Sequence, residues 1–217
     1  MSLSLDRVSF AYPDGPAILD NASLALEPGG YHLLRGPSGA GKSTLLRLLC
    51  RLEEAQTGII SFKGTPIRDM PPPELRRCVA YVQQLPTLLP GTVRDNLRLP
   101  FAFKANAGLT PPEDAAISAQ LAAFLLDGVT PDSRADKLSV GQAQRVCLIR
   151  SLLLSPEVIL LDEPTASLDA HSSRVVLDRT RELAEGGVTV VMISHSETVP
   201  DGVTRFIALE DRRLVLA

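Results

Sequence analysis

The sequence predicts an α/β fold with a mostly parallel core sheet, and three observations predict it. Two short, continuously apolar runs, EVILLDEP (157–164) and VTVVMIS (188–194), have the character of strands buried on both faces. Helical patterns separate the candidate strands, as parallel neighbours require. A third apolar run, YHLLRG (31–36), enters a glycine-rich loop and is followed at once by a helical pattern.

In chain order, SLSLDRVSF (2–10) alternates apolar and polar residues, as a half-buried strand does. A Pro-Asp-Gly-Pro turn at 13–16 leads to a second strand over about 17–27, closed by Pro-Gly-Gly. After the glycine loop, Lys42–Leu52 places Leu45, Leu46, Leu48, Leu49 and Leu52 on a wide apolar helical face. Thr57–Phe62 reads as another short strand. The stretch from about 84 to 155 is different in kind: residues 111–126 open with prolines and acids and continue with helix formers. Ser139 then stands just before a second helical pattern reaching 154. No strand pattern interrupts this stretch, so it reads as an inserted lobe. His171–Glu185 is a further helix ended by Gly186–Gly187, and 203–209 and 213–216 read as the last strands.

At 217 residues the chain fits one compact domain with a smaller lobe. A net charge of −3, with no Trp among few aromatics, argues against a nucleic-acid surface, and no nucleic-acid partner is expected. No apolar run approaches the roughly 18 residues that a membrane span needs, and the N-terminus does not read as a signal peptide. Cys50, Cys78 and Cys147 lack paired spacing and read as free thiols of a cytoplasmic protein.

The chemistry starts in GPSGAGKST, which satisfies G-x-x-x-x-G-K-[ST]. Gly36, Gly39 and Gly41, with Pro37, Ser38 and Ala40 between them, let backbone N–H groups turn towards phosphate oxygens. The helix beginning near Lys42, Ser43 and Thr44 offers further N–H groups and a positive dipole end. Lys42 is expected at the β/γ-phosphates, and Ser43 at Mg²⁺. In VILLDE (158–163), four apolar residues bury a strand and deliver two carboxylates at its C-terminal edge, where ligands of open α/β sheets bind. Asp162 is expected to hold Mg²⁺ through its water shell, and Glu163 to polarise an attacking water.

With LSVGQ (138–142) lying between these two elements, the chain resembles the nucleotide-binding domain of ABC (ATP-binding cassette) transporters over essentially its whole length. The resemblance implies a P-loop NTPase core with an N-terminal antiparallel β subdomain. It implies one domain over 1–217, with a helical subdomain inserted at about 85–155. It implies an ATPase using ATP and Mg²⁺, with Tyr12 stacking on adenine; a strand-end aromatic packing on the core is the other reading of that residue. Gln84 corresponds to the Q-loop glutamine that touches Mg²⁺ and the attacking water, with Gln83 as the alternative. Ser139, Val140, Gly141 and Gln142 form the signature, which in this family completes the ATP site of an opposing subunit, so a homodimer follows. Asp169, in SLD, lies in the loop that crosses to that subunit, and His195 corresponds to the switch histidine at the γ-phosphate.

The chain departs from the family pattern at Val140, where glycine is usual, and at Leu168, where alanine is common. DSRADK (132–137) replaces the segment that typical multidrug exporters carry there, and the C-terminus leaves no room for a sugar-importer regulatory domain. The expected partner is therefore an integral membrane permease on a separate chain, with the cassette cytoplasmic and peripheral on the inner face of the membrane. QLPTLLPGTVRDNLRLPF (84–101) is similar to small bacterial cassettes assigned to iron or other metal export, which ranks export above import. The competing readings are a non-transport ATPase acting on DNA or ribosomes, and a regulatory nucleotide-binding module without catalysis.

Overall fold

The computed structural model describes residues 1–194 and 199–216. The chain runs through β1 (Leu3–Ala11), β2 (Ala17–Leu26), β3 (Tyr31–Arg35), α1 (Lys42–Leu49), β4 (Thr57–Phe62), the two-residue β5 (Thr65–Pro66), α2 (Pro72–Cys78) and β6 (Val79–Val82). Residues 83–157 hold α3 (Val93–Arg98), α4 (Asp114–Ala123) and α5 (Val140–Leu152). Then come β7 (Val158–Asp162), α6 (Ala170–Glu185), β8 (Thr189–Ile193), β9 (Arg205–Glu210) and β10 (Arg213–Leu216).

The strands form two sheets. One is antiparallel, in the order β2-β1-β4-β5; the other runs β10-β9-β3-β8-β7-β6, parallel except where β10 pairs antiparallel with β9. The continuous apolar runs are explained by two-sided burial. In β7, Val158 and Leu160 enter the core shared with α1 and the antiparallel sheet, while Ile159 and Leu161 enter the core shared with α3, α4 and α5. In β8, Val191 and Ile193 take the first core and Val190 and Met192 the second. A strand covered on both faces has few positions that tolerate a polar residue, so its sequence does not alternate.

Two local expectations are corrected. The helix expected over 111–126 occupies only Asp114–Ala123, and Leu125 turns the chain with φ +50°. The helix expected to Leu52 stops at Leu49, with Arg51 at φ +55°. Residues 72–82, which carry no periodic signal of their own, form α2 and β6. Pro72 occupies the first turn of α2, where a missing N–H costs nothing. The four-residue β6 owes its strand to a parallel ladder with β7, from Val79↔Val158 to Val82↔Leu161.

Within the lobe, α5 is fastened to the end of α4 by Arg145. Arg145 is 8% exposed, and its guanidinium donates from Nη1 to the carbonyls of Phe124 and Leu125 (both 2.9 Å), and from Nε to Gly141 O (3.2 Å). Burial pushes its pKa below the usual arginine value. Arg145→Ala leaves buried carbonyls at the end of α4 without partners. The chain should lose about 2–4 kcal/mol of stability in a urea titration, and Arg145→Lys should recover little, because an ammonium lacks the planar fork.

Candidate functional site

The site is built where β3 and β7 end and α1 begins. β3 carries the chain out of the core into Gly36, whose φ of +154° turns the backbone beneath Leu209. Pro37, Ser38 and Gly39 are exposed and Ala40 is half-buried, with Ala40 N donating to Pro37 O at 3.2 Å. Gly41 precedes the first residue of α1 with φ +97°, and an added Cβ there would collide with Ile18 Cγ2. Gly41→Ala therefore combines a left-handed backbone with an overpacked contact. A loss of about 2–5 kcal/mol in thermal unfolding is expected, together with weaker nucleotide binding by fluorescence titration.

Lys42 is 7% exposed, and its ammonium donates to Gly36 O (2.9 Å) and Pro37 O (2.8 Å). The same loop thus folds around a fixed positive charge. Ser43 Oγ donates to Asp162 Oδ1 at 3.1 Å, and Tyr81 donates its hydroxyl to Asp162 Oδ2 at 3.0 Å. Burial, and then the neighbouring Asp162 charge, push the Tyr81 pKa up to about 12, so the hydroxyl keeps its proton. Asp162 itself is 3% exposed. The Ser43 hydroxyl, with the Asp162 carboxylate beside it to bind metal-held water and a loop suited to phosphate, fits Mg²⁺, which commonly takes few protein ligands and completes its shell with phosphate and water. No group of three or more His, Cys, Asp or Glu side chains gathers elsewhere among the described residues.

Glu163 has φ +49°, and its backbone N–H donates to Ile193 O at 3.2 Å. Gln84 Nε2 donates to Glu163 Oε2 at 3.0 Å, whereas Gln83 Nε2 donates to Thr87 Oγ1 at 2.6 Å. The geometry thus separates the two glutamines. Gln144, a buried residue of α5, fixes the same segment by donating to Gln83 O at 3.3 Å.

Tyr12 lies edge-on to Phe10, with centroids 5.0 Å apart, and packs partly into the core. Its hydroxyl donates to Glu53 Oε1 (3.2 Å) and meets Thr44 Oγ1 (3.4 Å), so the Thr44 side chain points towards Tyr12.

Ser139 caps α5 reciprocally with Gln142: Gln142 N donates to Ser139 Oγ at 3.2 Å, and Ser139 N to Gln142 Oε1 at 2.9 Å. Val140 is 55% exposed. Gly141 faces Leu168, since a Cβ there would lie 2.9 Å from Leu168 Cδ2 and 3.1 Å from Ser167 O. Asp169 caps α6, accepting from Ser172 N (2.9 Å) and Ser172 Oγ (2.8 Å), and these bonds hold its pKa low. Among the described residues, no hydrogen bond joins 139–142 to 36–44. His195 lies outside the described residues.

Sequence reasoning assigned no role to Tyr81, Gln144 or Arg145. The last two stand in LSVGQAQR beside the assigned signature, and Tyr81 stands three residues before Gln84.

The sequence matches the family model described as "ABC transporter" over residues 19–166. It is 36% identical over 208 residues to ABC transporter B family member 18 of Arabidopsis thaliana, covering 91% of this chain but only 17% of that protein. Its fold superposes on the ATP-binding cassette MJ0796, solved as a dimer in a post-hydrolysis state bound to ADP and Pi. The TM-score is 0.88 and the identity 28%, over 99% of this chain and 97% of that one. A bacterial Atm1-family ABC exporter solved with ATP bound gives a TM-score of 0.86 at 27% identity, over 98% of this chain and 38% of the exporter.

Proposed function

This chain belongs to the ABC transporter family as an ATP-hydrolysing cassette that takes ATP and Mg²⁺, and we propose that, as a homodimer, it powers export through a separate integral membrane permease. The carrying observation is that the end of β7 supplies two adjacent carboxylates with different partners. Asp162 is held by Ser43 and Tyr81, and Glu163 accepts from Gln84.

In this reading Lys42 and the loop N–H groups would bind the β/γ-phosphates, Ser43 and Gln84 would hold the metal, and Asp162 would hold it through its water shell. Mg²⁺ supplies neutralisation of the phosphate charge. Glu163 accepts the proton of the attacking water, and Gln84 fixes which Glu163 oxygen faces the water. His195 steadies charge developing on the γ-phosphate, and Tyr12 stacks on adenine. The signature turn at 139–142, with Asp169 in the neighbouring loop, serves the site of a second copy of the chain. Support for the homodimer comes from the dimeric cassette with bound ADP and Pi, and among the described residues no hydrogen bond joins this turn to residues 36–44.

The permease would dock against a groove of about 560 Å³ between the end of α1, α2 and the lobe. It is lined by Leu52, Phe103, Arg76, Arg77, Lys104 and Arg150 among others, and these four basic residues form no ion pair among the described residues. Motion of the lobe at about 85–155, proposed as a subdomain inserted in a single domain, would pass ATP-driven closure to that partner. No helix among the described residues is long and apolar enough to cross a membrane, which fits a peripheral place on the cytoplasmic face. Likeness to an ATP-bound exporter supports the export direction, and the 84–101 segment supports iron or another metal as cargo. In detergent, the tagged chain should retain a membrane protein with several apolar spans. Recovery of ribosomes or DNA instead would overturn the transport reading.

A further inference from the structure

Asp162 is braced on both oxygens, and only one brace belongs to the phosphate loop. Ser43 supplies the bond to Oδ1; the bond to Oδ2 comes from Tyr81, on the neighbouring strand β6. The register explains why. Tyr81 pairs with Leu160, so its side chain shares a sheet face with Asp162 and reaches it one rung further on. Arg47 stands one turn after Ser43 on α1, near the Tyr81 and Tyr12 hydroxyls.

A carboxylate that holds a cation through a few oxygens is sensitive to its orientation, because a rotation about its last bond moves both oxygens together. The Tyr81 hydroxyl stops that rotation while leaving the carboxylate charged, since a neutral phenol donates without neutralising it. Loss of the hydroxyl removes the orientation and nothing else that touches the phosphate loop.

We propose that Tyr81 is a positioning residue for the metal-holding carboxylate, fixing Asp162 through Oδ2 in an orientation that receives Mg²⁺. The inference rests on Asp162 holding the metal. The test measures Mn²⁺ binding by electron paramagnetic resonance in the presence of ADP, alongside ADP affinity in EDTA. Tyr81→Phe should weaken Mn²⁺ binding by about tenfold, the lower end of what loss of such a partner costs, with metal-free ADP affinity unchanged. Asp162→Asn serves as the reference. If Asp162→Asn weakens Mn²⁺ binding and Tyr81→Phe does not, the Tyr81 role is overturned alone; if neither does, the assignment of Asp162 falls with it. An equal loss of ADP affinity in EDTA for Tyr81→Phe would also overturn the proposal, since the hydroxyl would then act on the site as a whole.

Discussion

Glu163→Gln is expected to lower steady-state ATP turnover by about 10²–10⁴-fold, the range attributed to a positioned general base, while ATP affinity stays within about twofold. The substitution keeps the size and the hydrogen-bonding edge of the side chain but removes its ability to take a proton from water. Gln84 can still donate to the remaining amide oxygen, so the contact that places residue 163 survives. The adjacent Asp162, with its bonds from Ser43 and Tyr81, is untouched, so metal and phosphate binding persist. The variant is therefore expected to accumulate with ATP bound. A phosphate-release assay paired with a nucleotide-binding titration checks this, and near-normal turnover would remove Glu163 from the role of base.

Lys42→Ala acts earlier in the cycle and is expected to weaken ATP binding itself by about 100-fold or more. The ammonium is buried beneath its own loop and held by two carbonyls at 2.8 and 2.9 Å, so it is placed before any nucleotide arrives. Charge-assisted hydrogen bonds contribute about 1.5–3 kcal/mol each, and a phosphate chain would lose at least one or two of them. The truncation also removes a packed stem, so a thermal melt is needed beside the fluorescent-nucleotide titration. Lys42→Arg should not rescue binding, because a planar fork does not fit a pocket shaped for a compact ammonium. The two variants are thus separated by the stage they block: Lys42→Ala loses binding, and Glu163→Gln loses turnover with binding intact.

What could be read from the sequence was what is local. The Gly36–Thr44 loop, the cap at Ser139 and the apolar strands β7 and β8 are each specified by contiguous residues with a fixed spacing. The structure places Ser43 against Asp162 across 119 positions of sequence, as the pairing of the two motifs implies. Features that depend on a distant partner were not legible. β6 is four residues long and becomes a strand because β7 lies beside it. Tyr81 and Arg145 act on groups from other elements, and no periodicity marks either of them. Gln84 donates to Glu163 and Gln83 to Thr87, a difference in partners that two adjacent glutamines on one segment do not show in sequence. Leu168 looks like a mild departure in sequence, yet its side chain packs beside Gly141 and so joins the 165–169 turn to the start of α5.

The central claim is that one chain holds half of each ATP site and a second copy holds the other half. Light scattering on the Glu163→Gln variant, with and without ATP and Mg²⁺, tests this most directly. The account predicts a monomer without nucleotide and, with ATP, a particle of twice the 23.3 kDa chain mass, reverting when Ser139 is also replaced by a bulky residue such as Phe. A variant that binds ATP fully yet stays monomeric at saturating nucleotide would contradict it.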